Sequence, residues 1–301
     1  MRVAGIVVTY NRKELLLENI EALLKQTRAD CLTIIVIDNN STDGTRASLE
    51  KYVESKRIIY VNTGENLGGA GGFHYGIRYA AEHDFDYIWV MDDDCIPTET
   101  ALESFFNASK KLDGKFGFLA SKVLWKDYNI CKMNVQRSTL WRDVADWDTE
   151  FVPIIMSSFV SLFLPTQIVQ EYGLPIKEFF IWTDDWEYTR RISLKLPCYL
   201  ANQSVVIHKS NNNFGANIAT ESSDRLNRYD YLYRNDVFLY RREGLNGFLY
   251  EMLRIMFHTL KVIKSARDRK IERLKKIYCA TYRGLSFHPI IEYPKDNPKD
   301  K

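Results

Sequence analysis

Three consecutive carboxylates, Asp92-Asp93-Asp94, end a run of β-forming residues, Tyr87 to Met91. Tyr-Ile-Trp-Val-Met reads as a buried strand, so the acids fall at its carboxyl end. Alternation along an extended chain turns Asp92 and Asp94 to one side and Asp93 to the other. Adjacent acids repel one another unless positive charge sits against them. Two carboxylates on one face can hold a hard divalent cation that also touches substrate phosphates; the competing reading is a solvated acidic turn. A second acid pair, Asp184-Asp185, opens a helix expected to run to Leu194. Thr183 is the expected N-cap with Trp186 at N3, which places both acids where the helix dipole favours them. His208 ends a short strand over residues 205–208 and can complete a metal shell, or be structural.

These residues need a frame. Strand-like stretches at 3–10, 32–38, 57–62 and 86–91 alternate with helix-like stretches at 13–26, 42–55, 69–83 and 98–111. Repeated β-α units imply a parallel sheet with helices on its faces, and ligands of such sheets bind beyond the strands' carboxyl ends. Four polar clusters occupy those ends: Thr9-Tyr10-Asn11-Arg12, Asp38-Asn39-Asn40-Ser41, Asn66-Leu67-Gly68-Gly69 and the acid triplet. They point to one site. The glycines from Gly68 to Gly72 read as a loop running into a helix, where backbone approaches a phosphate, or as a tight turn. No Gly-Lys-Ser/Thr follows, and the first turn, Thr-Tyr-Asn-Arg, is not glycine-rich, which disfavours a dinucleotide enzyme.

Regularity falls beyond residue 116. Residues 118–124 and 154–164 read as strands, and 125–150, polar and carrying Trp125, Trp141 and Trp147, as an ordered loop. A boundary is expected near 211–215, dividing an α/β domain (1–215) from a helical region (216–301). There Leu249, Leu253, Met256, Phe257, Leu260 and Ile263 share a helix face, opposite Arg254, His258, Lys261 and Lys264. From Arg241 onward 15 Lys and Arg meet 7 Asp and Glu, whereas the first 240 residues carry 26 against 32. A basic tail on an acidic body suggests an anionic membrane surface as partner; a solvated face packed on the catalytic domain is the plain alternative. The five scattered cysteines form no CxxC pair, which argues against a disulfide framework and for a reducing compartment. With no signal-peptide layout and no apolar run near the roughly 18 residues of a span, the expected location is cytoplasmic, peripheral at the inner face of the membrane. Tyr229, Tyr231 and Tyr233 suit either a homo-oligomer interface or the core, and the tail from Pro289 is expected to fray.

A nucleoside diphosphate held through a metal, with one carboxylate of the second pair as general base on an acceptor hydroxyl, is the apparatus of inverting sugar transfer. A glycosidase also needs two carboxyl groups but has no use for a metal or a nucleotide-binding half. Val7-Val8-Thr9-Tyr10-Asn11-Arg12, Ile37-Asp38-Asn39-Asn40-Ser41-Thr42-Asp43-Gly44 and the acid triplet resemble family 2 glycosyltransferases of the GT-A fold, a Rossmann-like, mostly parallel α/β architecture. The resemblance covers roughly residues 1–215. The stretches 66–73 (Asn-Leu-Gly-Gly-Ala-Gly-Gly-Phe), 89–94, 182–188 and Tyr231-Leu232-Tyr233-Arg234-Asn235 further resemble bacterial galactofuranosyltransferases.

That resemblance implies a UDP-sugar donor, UDP-galactofuranose, and a glycan or lipid-linked glycan acceptor rather than nucleic acid. It implies that Asp38 and Asn66 contact the nucleoside, with Thr9, Asn11, Arg12, Gly68 and Gly69 nearby and Asp93 facing the donor. Asp92, Asp94 and His208 would bind Mn²⁺ or Mg²⁺. Asp185 would be the base with Asp184 beside it, and Trp182, Trp186 and Glu187 would lie on the acceptor side. The chain departs from the family's Trp-Asp-Asp in placing Thr183 after Trp182. A dTDP-rhamnose donor shares the N-terminal motifs. A sugar nucleotidyltransferase would need more basic residues than Arg12 near the first loop, and a non-catalytic binder would not need Asp92, Asp94, Asp185 and His208 together.

Overall fold

β1 (Val3–Thr9) is buried at every residue, as a strand must be when helices cover both faces of its sheet. Its side chains alternate between two apolar layers. Val3 and Val7 join Ile34, Val36, Trp89 and Met91 in one layer; Ala4, Ile6 and Val8 join Ile35, Ile37, Ile88 and Val90 in the other. The computed structural model describes residues 1–295. After β1 come α1 (Lys13–Leu24), β2 (Leu32–Asp38), α2 (Thr45–Glu54), β3 (Ile58–Asn62), α3 (Gly68–Ala81), β4 (Tyr87–Asp92), β5 (Cys95–Pro97) and α4 (Ala101–Lys111). The first layer is closed by Leu16, Ile20 and Leu23 of α1, Leu49 of α2 and Phe105 of α4, the second by Phe73 and Ile77 of α3. Each such fully buried side chain contributes about 1.5–3 kcal/mol.

The chain continues through β6 (Leu119–Trp125), β7 (Arg137–Thr139), β8 (Arg142–Asp143), β9 (Phe151–Pro153), β10 (Leu162–Pro165), α5 (Thr166–Tyr172), α6 (Asp184–Ser193) and β11 (Tyr199–His208). The main sheet has nine strands in the order β3-β2-β1-β4-β10-β6-β11-β5, with β9 also on β11. It is parallel from β3 to β4 and between β6 and β11, and β10 runs antiparallel between β4 and β6. This is the α/β sheet that the alternating pattern predicts. Three expectations fail in the middle of the chain. Residues 154–164 are not one strand: only the last few reach the sheet, and Pro165 leads into α5, an unanticipated helix. The stretch 125–150 is not merely loop, because β7 and β8 pair as a hairpin. β11 starts six residues earlier than expected, bending at a register shift between Ala201 and Val205.

α7 (Tyr229–Arg241), α8 (Gly244–Ser265) and α9 (Lys270–Leu285) are the last helices among the described residues. They share apolar clusters with the first part. Trp182 packs with Tyr229 and Tyr233, and Phe179 with Phe238 and Phe287; Met156 packs with Leu239 and Tyr240. Tyr229 and Tyr233 are therefore core, not an oligomer surface. Residues 289–295 do not fray. The Leu174 amide donates to the Glu292 carbonyl at 2.8 Å, and the Glu292 carboxylate pairs with Arg78 and with Lys177 at 2.5 Å. The rest of that expectation, from residue 296 on, lies outside the described residues. α8 turns charge toward the core. Glu251 and Arg254 point inward, and the Leu249–Ile263 stripe points to solvent.

Candidate active site

Because β1, β2 and β4 are parallel, Thr9, Asp38 and Asp92 arrive at one edge of the sheet, Thr9 level with Asp38 and Val8 with Asp92. β11 brings His208 opposite Cys95. One ligand atom from each of Asp92, Asp94 and His208 lies within 4.8 Å of the others. Asp93 turns the other way, accepting from Thr9 Oγ1 at 2.8 Å. The positive charge that three adjacent acids require is Arg12, whose Nη1 donates to Asp94 Oδ2 at 2.7 Å and to Asp93 Oδ1 at 3.2 Å.

Burial pushes Asp92 up to about 6, helped by the charge of Asp94, and pushes Asp93 up to about 7 against the pull of Arg12. Burial acts on Asp94 too, but His208 and Arg12 outweigh it and hold that carboxyl below its usual range. Burial would lower His208, yet its hydrogen bond and charge contact with Asp94 raise it to about 10. The His208–Asp94 contact runs 3.0 Å from Nε2 to Oδ1.

The residues fit a divalent cation. The amide nitrogen of Asn134 donates to Ser158 Oγ at 3.1 Å, which leaves Asn134 Oδ1 to accept from His208 Nδ1 at 2.7 Å. That fixes the ring with Nε2 toward the carboxylates, the arrangement found behind metal-binding histidines. Two hard carboxylates and one imidazole suit Mn²⁺ or Mg²⁺. Asn134 belongs to the stretch that carries no motif, and only the fold brings it to His208.

The second acid pair opens α6. Burial pushes Asp184 up to about 7 and Asp185 well above its usual range, and the charge of Asp92 adds to both, so the two acid groups are within electrostatic reach. Asp184 is buried; Asp185 is half-buried, with Oδ1 accepting from the Trp186 amide at 2.7 Å. The turn before them is strained, with φ of 63° at Phe180, 65° at Trp182 and 71° at Thr183, at roughly 1–3 kcal/mol per residue. α7 holds it. Asn235 Nδ2 donates to the carbonyls of Phe179, Ile181 and Trp182 at 3.0, 3.3 and 2.9 Å. Thr183 Oγ1 donates to Asp236 Oδ1 at 2.7 Å, and Asp236 pairs with Arg254 of α8. Thr183 therefore stands at the N-cap position without capping: in its left-handed conformation the hydroxyl reaches α7 instead.

Other predicted residues fall in different places. Glu187 is 1% exposed and paired with Arg191 at 2.9 Å and Arg242 at 2.7 Å, so it is a buried ion-pair centre rather than an acceptor-side group. Trp182 and Trp186 are half-buried against Tyr229 and beneath Arg137, respectively. The glycine-rich stretch is not a loop but the first turns of α3. Gly68, at φ +71°, lies so close to Phe180 that a Cβ would fall 2.1 Å from its carbonyl oxygen, and a Cβ at Gly72 would meet Val8 at 2.4 Å. Only Gly69 of the predicted pair faces open space. Asn66 is exposed and its Oδ1 accepts from the Gly68 amide, and Asn11 Oδ1 accepts from the Thr42 amide, tying the first two strand-end loops together. Asp38 is 0% exposed, accepting from the Ser41 amide at 2.8 Å and Tyr60 hydroxyl at 2.6 Å. A ligand reaches it only if that cover moves.

Residues 6–115 match the family model described as Glycosyl transferase family 2. Galactofuranosyltransferase GlfT1 of Mycolicibacterium smegmatis is 26% identical over 261 residues, which cover 82% of this chain and 85% of that protein. The fold is shared with Staphylococcus aureus TarS 1–349 solved in complex with UDP (TM-score 0.55, 15% identity, 95% of this chain and 72% of that one). It is also shared with the mannosyltransferase PcManGT of Pyrobaculum calidifontis solved with GDP-Man and Mn²⁺ (TM-score 0.55, 15% identity, 96% and 76%). With the acid triplet at the strand ends of such a sheet, the chain is a glycosyltransferase of the GT-A fold whose residues 6–115 match family 2 and which resembles the galactofuranosyltransferases.

Proposed function

We propose that this enzyme is an inverting, metal-dependent transferase that moves galactofuranose from UDP-galactofuranose to a hydroxyl of a lipid-linked glycan, building a cell-surface polysaccharide at the cytoplasmic face of the membrane. The observation that carries it is the meeting of Asp92, Asp94 and His208 within 4.8 Å, within electrostatic reach of the half-buried Asp185. The similarity to GlfT1 supports the choice of sugar. Residues 1–215 carry the donor and acid groups, and the described residues from 216 to 295 form the helical extension that holds the strained turn.

Asp92, Asp94 and His208 hold the cation, Mn²⁺ or Mg²⁺, which when bound offsets the charge of the leaving diphosphate. Arg12, half exposed and already drawn to the triplet, offers a second positive charge to that diphosphate. The nucleoside lies along the Thr9, Asn11, Asn66 and Gly69 edge and meets Asp38 once its Ser41 and Tyr60 cover moves, with Asp93 toward the donor sugar. Asp185 takes the proton of the acceptor hydroxyl as its oxygen bonds to the anomeric carbon and the carbon–oxygen bond to the diphosphate breaks, inverting that carbon. Burial keeps the Asp185 carboxylate basic enough for the task, and Asp184 stays behind it.

A thermal-shift panel tests the donor without knowledge of the acceptor, because ligands that bind the folded state stabilise it by mass action. UDP and UDP-galactofuranose are expected to stabilise the protein with Mn²⁺ but not with chelator. Stabilisation by dTDP instead would move the donor to dTDP-rhamnose; no response to any nucleotide would remove the donor site.

A further inference from the structure

A helix at a protein surface ordinarily buries its apolar stripe and shows its charges to water. α8 does the reverse. Its inward face carries Gly247, Glu251, Ile255 and Val262, with Arg254 paired to Asp236 and Glu251. Its outward face runs from Leu245, 73% exposed, through Phe248, Met252, Met256 and Phe257 to Ile263, 52% exposed. The helix has 22 residues, about 33 Å of length. An apolar face of that extent is far from the scattered exposure of an ordinary surface.

We propose that the outward face of α8 docks on an anionic membrane, the helix lying flat with its apolar side chains among the acyl chains. The proposal rests on the lipid-linked acceptor of the preceding section for its role. No helix among the described residues is long and apolar enough to cross a membrane, so α8 lies in the interface rather than spanning it. Charge selects the occupant. The only acid of α8, Glu251, is buried. At and beyond the end of the stripe, Lys261, Lys264, Arg267 and Lys275 have no carboxylate partner among the described residues, while the nearby acids Asp268 and Glu272 are taken by Arg273 and Arg269. A second copy of this chain would bring the same unpaired cations to the contact. Anionic headgroups supply both an apolar bed and the missing negative charge.

Flotation of the full chain with vesicles tests this. The protein is expected to rise with phosphatidylcholine vesicles containing phosphatidylglycerol and not with phosphatidylcholine alone, and salt should reverse it. Phe248→Ser, Met252→Ser and Phe257→Ser together should abolish flotation. Lys261→Gln and Lys264→Gln, which leave the apolar face intact, should each weaken binding about fivefold. No flotation with either vesicle overturns the proposal. So does flotation that survives the triple variant, or a dimer in sedimentation that the triple variant converts to monomer without any vesicle binding. UDP stabilisation with Mn²⁺, read on the same samples, separates the two readings: its absence beside intact flotation rejects the donor and leaves the surface.

Discussion

His208 and Asp185 divide the proposed chemistry between holding charge and moving a proton, and each can be removed from its task separately. Asp185→Asn should lower turnover by about 10²–10⁴-fold, the usual contribution of a general base, with Mn²⁺-dependent UDP binding preserved in the thermal-shift assay. Equal loss of UDP binding would assign Asp185 to the donor side. Asn134→Ala removes the acceptor behind His208 Nδ1 and should weaken Mn²⁺ binding about 10–100-fold, read by metal titration in the presence of UDP. Affinity for UDP in chelator should not change. The acid triplet was legible in the sequence because neighbouring strand-end residues share a site by local geometry alone. Asn134 was not, since it stands 74 residues from His208 in a segment without periodicity. Arg12 was legible as a cation near the site, but its pairing with Asp93 and Asp94 came from the fold.

At the scale of elements, the strained turn at 180–183 depends on helices that come fifty residues later. Asn235→Ala leaves three carbonyls of that turn without their donor. Buried groups left unpaired cost about 1–3 kcal/mol each; the variant should melt several degrees lower and lose turnover while still binding UDP with Mn²⁺. Full activity in a destabilised protein would show that the turn's shape is immaterial to Asp185. The alternation of strands and helices through residue 111 was readable because each element buries a face of its own period. β10 and β11 were misjudged because their pairing partners lie far away in sequence: β11 joins β5, β6 and β9, none adjacent to it. The glycines of 68–72 misled for a related reason. They signal close approach, and at Gly68 and Gly72 the approaching groups are Phe180 and Val8 of this same chain rather than a phosphate.

Across the whole molecule, the apolar clusters that join 1–215 to the described residues 216–295 predict one cooperative thermal transition, and a chain ended at residue 215 should not fold. Two resolved transitions in calorimetry would refute this. Glu292 fastens the tail. Burial would raise its carboxyl, but Lys177 and Arg78 prevail and set it at about 2, against about 4.3 for an unfolded glutamate. Its stabilisation is therefore complete above about pH 4.3 and lost as pH falls toward 2. Glu292→Gln should melt earlier at neutral pH and flatten the stability curve over that acid range, and an unchanged curve would exclude the latch. The same fastening brings the start and finish of the described chain together: the Arg2 amide donates to Asp86 at 2.6 Å, and the Lys295 amide to Glu82 at 3.1 Å, four residues away. A circular permutant that joins these ends by a short linker and opens at the exposed turn of Asp113, Gly114 and Lys115, ahead of β6 and at the opposite end of the strands from His208, should fold and still bind UDP with Mn²⁺.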